Sequence, residues 1–242
     1  RPPPNPVSPP HPPAVARKPV MFMYSRQPLD VRVEVSFLQG EPWLYYPNAS
    51  VGQSHQGPGY GTLRFEGELA AGSGTLAPVS PQHFWADLRA VGGHTFTSHD
   101  GSRERFLFYD GPVQFERSMI ISRQGGGAVI TATSSERMVW LVQSGRYTES
   151  ELSPHAGTAQ LAGEGDMTML RARLDAELQA RGLSAREARS LLETWRDDLF
   201  RSGEARAIYF IPRDAYDRML PVRIDPIPEE LVRVGLVIET LR

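Results

Sequence analysis

The chain of 242 residues has no cysteine, which excludes a disulfide, a thiolate nucleophile and a thiolate metal site. Lysine is almost as scarce. Of 26 basic residues only Lys18 is a lysine. Schiff-base chemistry, a P-loop lysine and a Ser/Lys dyad are therefore removed from the body of the protein, because arginine has neither the titratable amine nor the flexible reach. A GC-rich genome is the simplest source of that bias, and selection for bidentate Arg to carboxylate pairing is the alternative. No run of about 18 apolar residues occurs, so no hydrophobic segment is expected to span a bilayer. Net charge is also small. A formal value of −2 gives no positive field to hold a phosphate backbone, and nucleic acid is not an expected partner.

What is present is a chain with 40% hydrophobic residues, long enough to bury a sizeable core. Residues 1–17 are the exception, with eight prolines in the first thirteen positions. That composition favours extended polyproline II and builds no core, so it is read as a spacer or a docking arm. The chain opens on Arg1 rather than Met, which suits a mature protein that has lost a signal peptide.

From Val20 to Leu141 short strands alternate with turn residues. Leu29 to Phe37 is the clearest, with Val31, Val33, Val35 and Phe37 on one face and Asp30, Arg32, Glu34 and Ser36 on the other. Further strands are expected at 20–24, 62–68, 84–91, 105–109, 113–122, 128–133 and 137–142, with a hairpin turn at Gly125 to Gly127. Residues 47–61 and 72–81 read as longer surface loops.

The period then changes to helical. Asp166 caps a helix with the stripe Met167, Leu170, Leu174 and Leu178, ended by Gly182. Ser184 and Glu187 form a capping box for a second helix whose apolar face holds Ala188, Leu191, Leu192, Trp195 and Leu199. Strands return at 206–211 and 231–241, and the prolines between them confine the intervening chain to edge or extended conformations.

Candidate chemistry is sparse. Gly52 to Gly57 (GQSHQG) is a loose likeness of a nucleophile elbow around Ser54, with the second glycine one residue too far. His94, His99 and Asp100 are weak metal candidates, since imidazoles five residues apart fall on opposite faces of a strand unless 97–101 turns back as a hairpin. Adjacent carboxylates at Asp197 with Asp198, Asp214 with Asp217, and Glu229 with Glu230 carry no separation information. Asn48 in Asn-Ala-Ser matches a glycosylation sequon, a tripeptide that is frequent by chance. Trp43, Tyr45 and Tyr46 are binding candidates as an aromatic platform, whereas Phe106 and Phe108 read as core. Arg213 and Asp217 follow a strand end and serve either as a ligand site or as an ion-paired clamp on the loop.

The segments KPVMFMY, RFLFYDG, EARSLLETWRDDLF, ARAIYFIPR, LPVRIDPIP and VRVGLVIE together resemble an uncharacterised family of secreted bacterial proteins, from Lys18 onward. That family shows a KPVIYLYP-like opening, a FLFYRG-like strand and a C-terminal Trp helix followed by a YIxPR strand. The chain departs from the pattern at Ser25, usually proline, and at Asp110, commonly basic. The resemblance implies an extracytoplasmic location (periplasm, cell surface or secreted) and one integrated domain. It implies no activity and no catalytic residues.

Together these readings predict a β-rich α+β protein: sandwich-like antiparallel sheets over about 18–145, a helical hairpin at about 166–202, and terminal strands at about 205–242, behind the arm at 1–17. The expected role is a non-enzymatic structural or protein-interaction module that docks on a partner through its arm, with no cofactor. A metal- or carboxylate-dependent hydrolase and a carbohydrate-binding module are the alternatives.

Overall fold

The computed structural model describes residues 15–16, 20–53, 60–72, 75–81, 83–113, 117–152, 156–160, 163, 165–201 and 203–241. Most of the Pro-rich arm and the Ser54 motif lie outside the described residues.

Alternating side chains set the layers. In strand Leu29–Leu38 the valines 31, 33 and 35 and Phe37 are buried. The other face carries Arg32 and Glu34, which meet their cross-strand neighbours Glu66 and Arg64 at 2.5 and 2.8 Å. This strand sits in a six-stranded N-terminal sheet ordered Val222–Asp225, Leu29–Leu38, Tyr60–Ala70, Thr95–Ser98 and Arg103–Glu104, with Ser50–Gln53 also paired to Tyr60–Ala70. A second six-stranded sheet runs Val15–Ala16, Gly235–Thr240, Arg206–Ile211, Met138–Gln143, Arg146–Glu151, Gly165–Asp166. Two three-stranded sheets complete the body, one of Met119–Gln124, Gly127–Ala132 and Ala156–Gln160, the other of Val20–Met21, Leu107–Asp110 and Leu44–Tyr46. Every paired ladder between these strands is antiparallel, and the fold is a β-rich α+β assembly.

The C-terminal sheet is the middle layer. One of its faces, including Leu141, Tyr209 and Val237, joins Val33, Phe65 and Ile130 of the other sheets in the main core. Its opposite face, including Trp140, Ile208, Phe210 and Ile238, is covered by helices. Strand Arg206–Ile211 is consequently buried at every position, and its sequence reads as a nearly continuous apolar run. Its one charged residue, Arg206, donates through Nη2 to the carbonyls of Leu199 and Arg201 at 2.9 and 2.6 Å. It thereby satisfies carbonyls at a helix end.

Five helices are present among the described residues: α1 (Phe84–Ala90), α2 (Met167–Ala180), α3 (Ala185–Thr194), α4 (Arg196–Phe200) and α5 (Arg213–Met219). The caps of the helical hairpin are those the sequence predicts. Asp166 accepts from the Met169 N–H at 2.9 Å, and Ser184 and Glu187 close a reciprocal capping box. Replacing Ser184 by alanine is expected to cost about 1 kcal/mol. In thermal denaturation the variant should melt roughly 2–4 °C lower. The second helix breaks at Trp195, where φ is −108° and ψ 17°, so it continues as the separate α4.

Residues 84–91, expected as a strand, form α1 instead. His83 caps it, its Nδ1 accepting from the Trp85 N–H at 3.2 Å, and Phe84 and Trp85 pack around Phe106 and Phe108. Residues 213–219, expected as loop, form α5, laced by Arg213 with Asp217 and Asp214 with Arg218 at i,i+4 spacing. No helix among the described residues is long and apolar enough to cross a membrane.

Candidate functional site

A cleft of about 1010 Å³ opens between α3, residues 20–27 and residues 226–234. Glu187, Leu191 and Trp195 recur every fourth residue and so form one stripe facing the cleft, while Ala188, Leu192 and Leu199 belong to the helix-covered core. The opposite wall brings Met21, Met23, Leu29 and Val31, and depth comes from the buried Leu88 and Leu199.

Polar contacts sit at the mouth and on the floor. At the mouth the Tyr24 hydroxyl donates to Glu187 Oε1 at 2.9 Å, and Arg26 lies 3.8 Å from Glu229 on the exposed rim. Desolvation of its hydroxyl and the adjacent Glu187 carboxylate hold the Tyr24 phenol above its ordinary value, so it remains a donor. On the floor, Arg233 lies over the Tyr216 ring with its guanidinium 4.4 Å from the centroid. It donates to Asp217 and, at 2.6 Å, to the Leu220 carbonyl. Burial raises the hydroxyls of Tyr109 and Tyr216 above the usual tyrosine range, with Arg233 pulling the other way. The lining thus offers apolar and aromatic contact inside and hydrogen-bonding groups at its rim.

Arg213 and Asp217 are not among the residues that line the cleft, but they brace two that are, Leu231 and Arg233. Arg213 donates through Nε to Asp217 Oδ2 at 2.7 Å and through Nη1 to the Leu231 carbonyl at 2.9 Å. Asp217 Oδ1 receives Arg233. Both carboxylate oxygens are therefore engaged, and the ion pairs fasten residues 231–233 to α5.

Trp43, Tyr45 and Tyr46 do not share a platform. Tyr45 packs against the main core, and Tyr46 stacks on Trp85 with ring centroids 4.7 Å apart. Adjacent residues of a strand point to opposite faces, which is why the two tyrosines part. Trp43 is 68% exposed, with its indole N–H donating to Asp110 Oδ2 at 2.6 Å. The Asp110 carboxylate is what orients this ring.

His94 and His99 stand at opposite ends of strand Thr95–Ser98, roughly 16 Å apart at 3.3 Å per residue. The turn at Ser98 to Gly101 does form, but it leaves His94 at the far end of the strand, edge-on to Tyr24. Asp100 is occupied otherwise. It accepts from Ser98 Oγ at 2.5 Å, from Ser102 through both N–H and hydroxyl, and from Asn48 Nδ2 at 2.9 Å. Among the described residues no group of three or more His, Cys, Asp or Glu side chains is arranged to hold a metal ion.

Those bonds, that from Ser98 foremost, hold Asp100 well below the usual carboxylate range. A carboxyl depressed in the folded state stabilises above its unfolded value of about 3.9, and that contribution is lost as pH falls through the folded value. The variant Asp100→Asn should therefore melt below the parent at pH 7. The gap should narrow as pH is lowered below about 4, as thermal melts across a pH series will show.

Sequence reading did not mark Tyr24, Glu187 or Arg233 as site residues. Arg233 carries a legible signal, a lone cation inside the apolar run LVRVGLVI. The stripe of Glu187, Leu191 and Trp195 is legible as a spacing but not as a cleft, because one facing wall, residues 20–27, comes from about 160 positions upstream and the other, residues 226–234, from beyond an intervening strand and helix. The chain matches no protein-family model, no curated protein and no solved structure.

Proposed function

We propose that the protein is a non-enzymatic structural or interaction module working outside the cytoplasm, and that its contact surface is the cleft beside α3. One observation carries this reading: the cleft is deep and apolar, yet its rim ends in exposed Tyr24 and Ile227, at 55% and 89% exposure. Large apolar side chains left in water at the lip of an apolar cavity are what an association removes from solvent. The resemblance of KPVMFMY and its companion segments to secreted bacterial proteins supports the location, as does the Pro-rich arm.

A photo-crosslinking residue at Ile227 tests this in the source cells, with one at Met169, 56% exposed on α2 and outside the cleft, as the comparison. The expected result is a discrete protein adduct from position 227 alone, in an extracytoplasmic fraction. Equal labelling from both positions, or none from 227, would overturn the reading. A carbohydrate-binding role keeps one observation in its favour, the exposed Trp43 ring fixed by Asp110. Retention on polysaccharide columns that vanishes on Trp43→Ala would support it.

A further inference from the structure

Beyond the cleft, we infer that strand Val222–Asp225 is a second contact surface, and that its occupant is the same strand of a second copy of this chain. Four strands end the two six-stranded sheets among the described residues. Three of them, Val15–Ala16, Arg103–Glu104 and Gly165–Asp166, have two residues, and only Val222–Asp225 has four. Among the described residues its only ladder is with Leu29–Leu38. The Ser36 N–H donates to the Pro221 carbonyl at 2.9 Å, so residues 221, 223 and 225 turn their backbone groups toward that strand. Val222 and Ile224 alternate with them and direct their N–H and C=O groups to the open edge.

Charge chooses the occupant. Arg223 and Asp225 are exposed and stand opposite Glu34 and Arg32. Those two are engaged elsewhere, Glu34 by Arg64 and Arg32 by Glu66. Arg223 and Asp225 are left with no ion pair among the described residues. A recess of about 220 Å³, lined by both of them with Arg32, Glu34 and Arg64, remains where they have not closed onto the inner row.

Edge charges guard a sheet when an approaching strand meets its like. Here the signs are opposite and two positions apart. A second copy in antiparallel register about Ile224 sets Arg223 against the copy's Asp225, and Asp225 against the copy's Arg223, so both free charges are matched at once. Ile224 then meets its own counterpart and exchanges two backbone hydrogen bonds with it. One ladder step in either direction would set Arg223 or Asp225 against itself, which fixes the register. The two-fold axis stands perpendicular to the sheet, so the charged face continues from one copy into the next. On the core face the half-buried Ile224 side chains gain cover. Ile224 also lines the cleft, but Arg223 and Asp225 do not, so changes at 223 and 225 leave the cleft lining in place.

Sedimentation over a concentration series compares the full chain with Arg223→Asp and with Asp225→Arg. Both positions are exposed and free of ion pairs, and thermal melts of the variants verify the fold. The expected results are a full chain that self-associates and a weakening of about tenfold in each variant. An equimolar mixture of the two variants should associate as the parent does, because the all-acidic edge of one meets the all-basic edge of the other. The register is read separately. The chain has no cysteine, so Arg223→Cys mixed with Asp225→Cys should give a disulfide-linked dimer under oxidising conditions, and neither variant alone should. A monomeric full chain, association indifferent to the reversals, a mixture that fails to recover, or cross-linking within a single cysteine variant would each overturn the inference. None of these outcomes bears on a foreign protein captured at Ile227, so the cleft's role is decided by its own experiment.

Discussion

Replacing Arg89 by methionine is expected to destabilise the protein by about 3–5 kcal/mol. Glu104 is fully buried, and its carboxylate receives Arg89 Nε at 3.0 and 3.1 Å, Arg89 Nη2 at 2.7 Å and the Arg105 N–H at 2.9 Å. Arg89 also reaches the Ala77 carbonyl at 2.7 Å, so one guanidinium ties α1 and the preceding loop to strand Arg103–Glu104. Removing it strands a carboxylate where water does not reach, and that desolvation, rather than the lost attraction, is the larger penalty. A protein of this size should then melt about 10 °C lower. The double variant Arg89→Met with Glu104→Leu should recover most of the loss, because a buried ion pair and an apolar pair of like volume are close in energy. If the single variant loses under about 1 kcal/mol in urea unfolding, the pair is not sustaining the contact of α1 with the sheet.

The second large effect is expected at Trp140. Its side chain is fully buried on the helix-covered face of the C-terminal sheet, edge-on to Phe210 at 5.8 Å, and its indole N–H donates to Glu149 at 3.2 Å. Truncation to alanine removes the ring from its contacts with the strand neighbours and helices and leaves a cavity, for about 3–5 kcal/mol. Glu149 keeps the Arg173 guanidinium, at 2.7 and 3.0 Å, so the indole partner is not orphaned. Trp140→Phe should therefore lose clearly less than Trp140→Ala, the difference tracking the volume left empty. Chemical unfolding of the two variants measures it, and equal losses would point to the hydrogen bond instead of packing.

Strand Leu29–Leu38 and the α2–α3 pair were legible because their patterns are long enough to show a period and their caps use unmistakable side chains. Helix α1 is only seven residues long, fewer than two turns, and its aromatics Phe84 and Trp85 favour a strand reading until the His83 cap is seen. Strand Arg146–Glu151, in contrast, is mostly polar (RYTESE) and gives no apolar alternation. It exists because Met138–Gln143 offers it a ladder through the tight turn Ser144–Gly145, both with positive φ. Helix α5 had a signal that outranks the neighbouring prolines: two i,i+4 ion pairs, an acid in the first turn and a base in the last. The cleft was legible only in parts, since Tyr24, Glu187 and Arg233 meet across separations that no local pattern encodes.

Among the described residues the central sheet ends, on both sides, in strands of two residues: Val15–Ala16 against Gly235–Thr240, and Gly165–Asp166 against Arg146–Glu151. Such short terminal rungs give an incoming strand almost no ladder to extend, which guards a sheet of buried apolar strands against growth by stacking chains edge to edge. The segment GLVIET next to the first rung is apolar and rich in β-branched residues, the composition that templates cross-β growth when uncovered. A cut past Ala16 would therefore remove the rung that covers Val237 and Ile238 and bare more of that apolar edge.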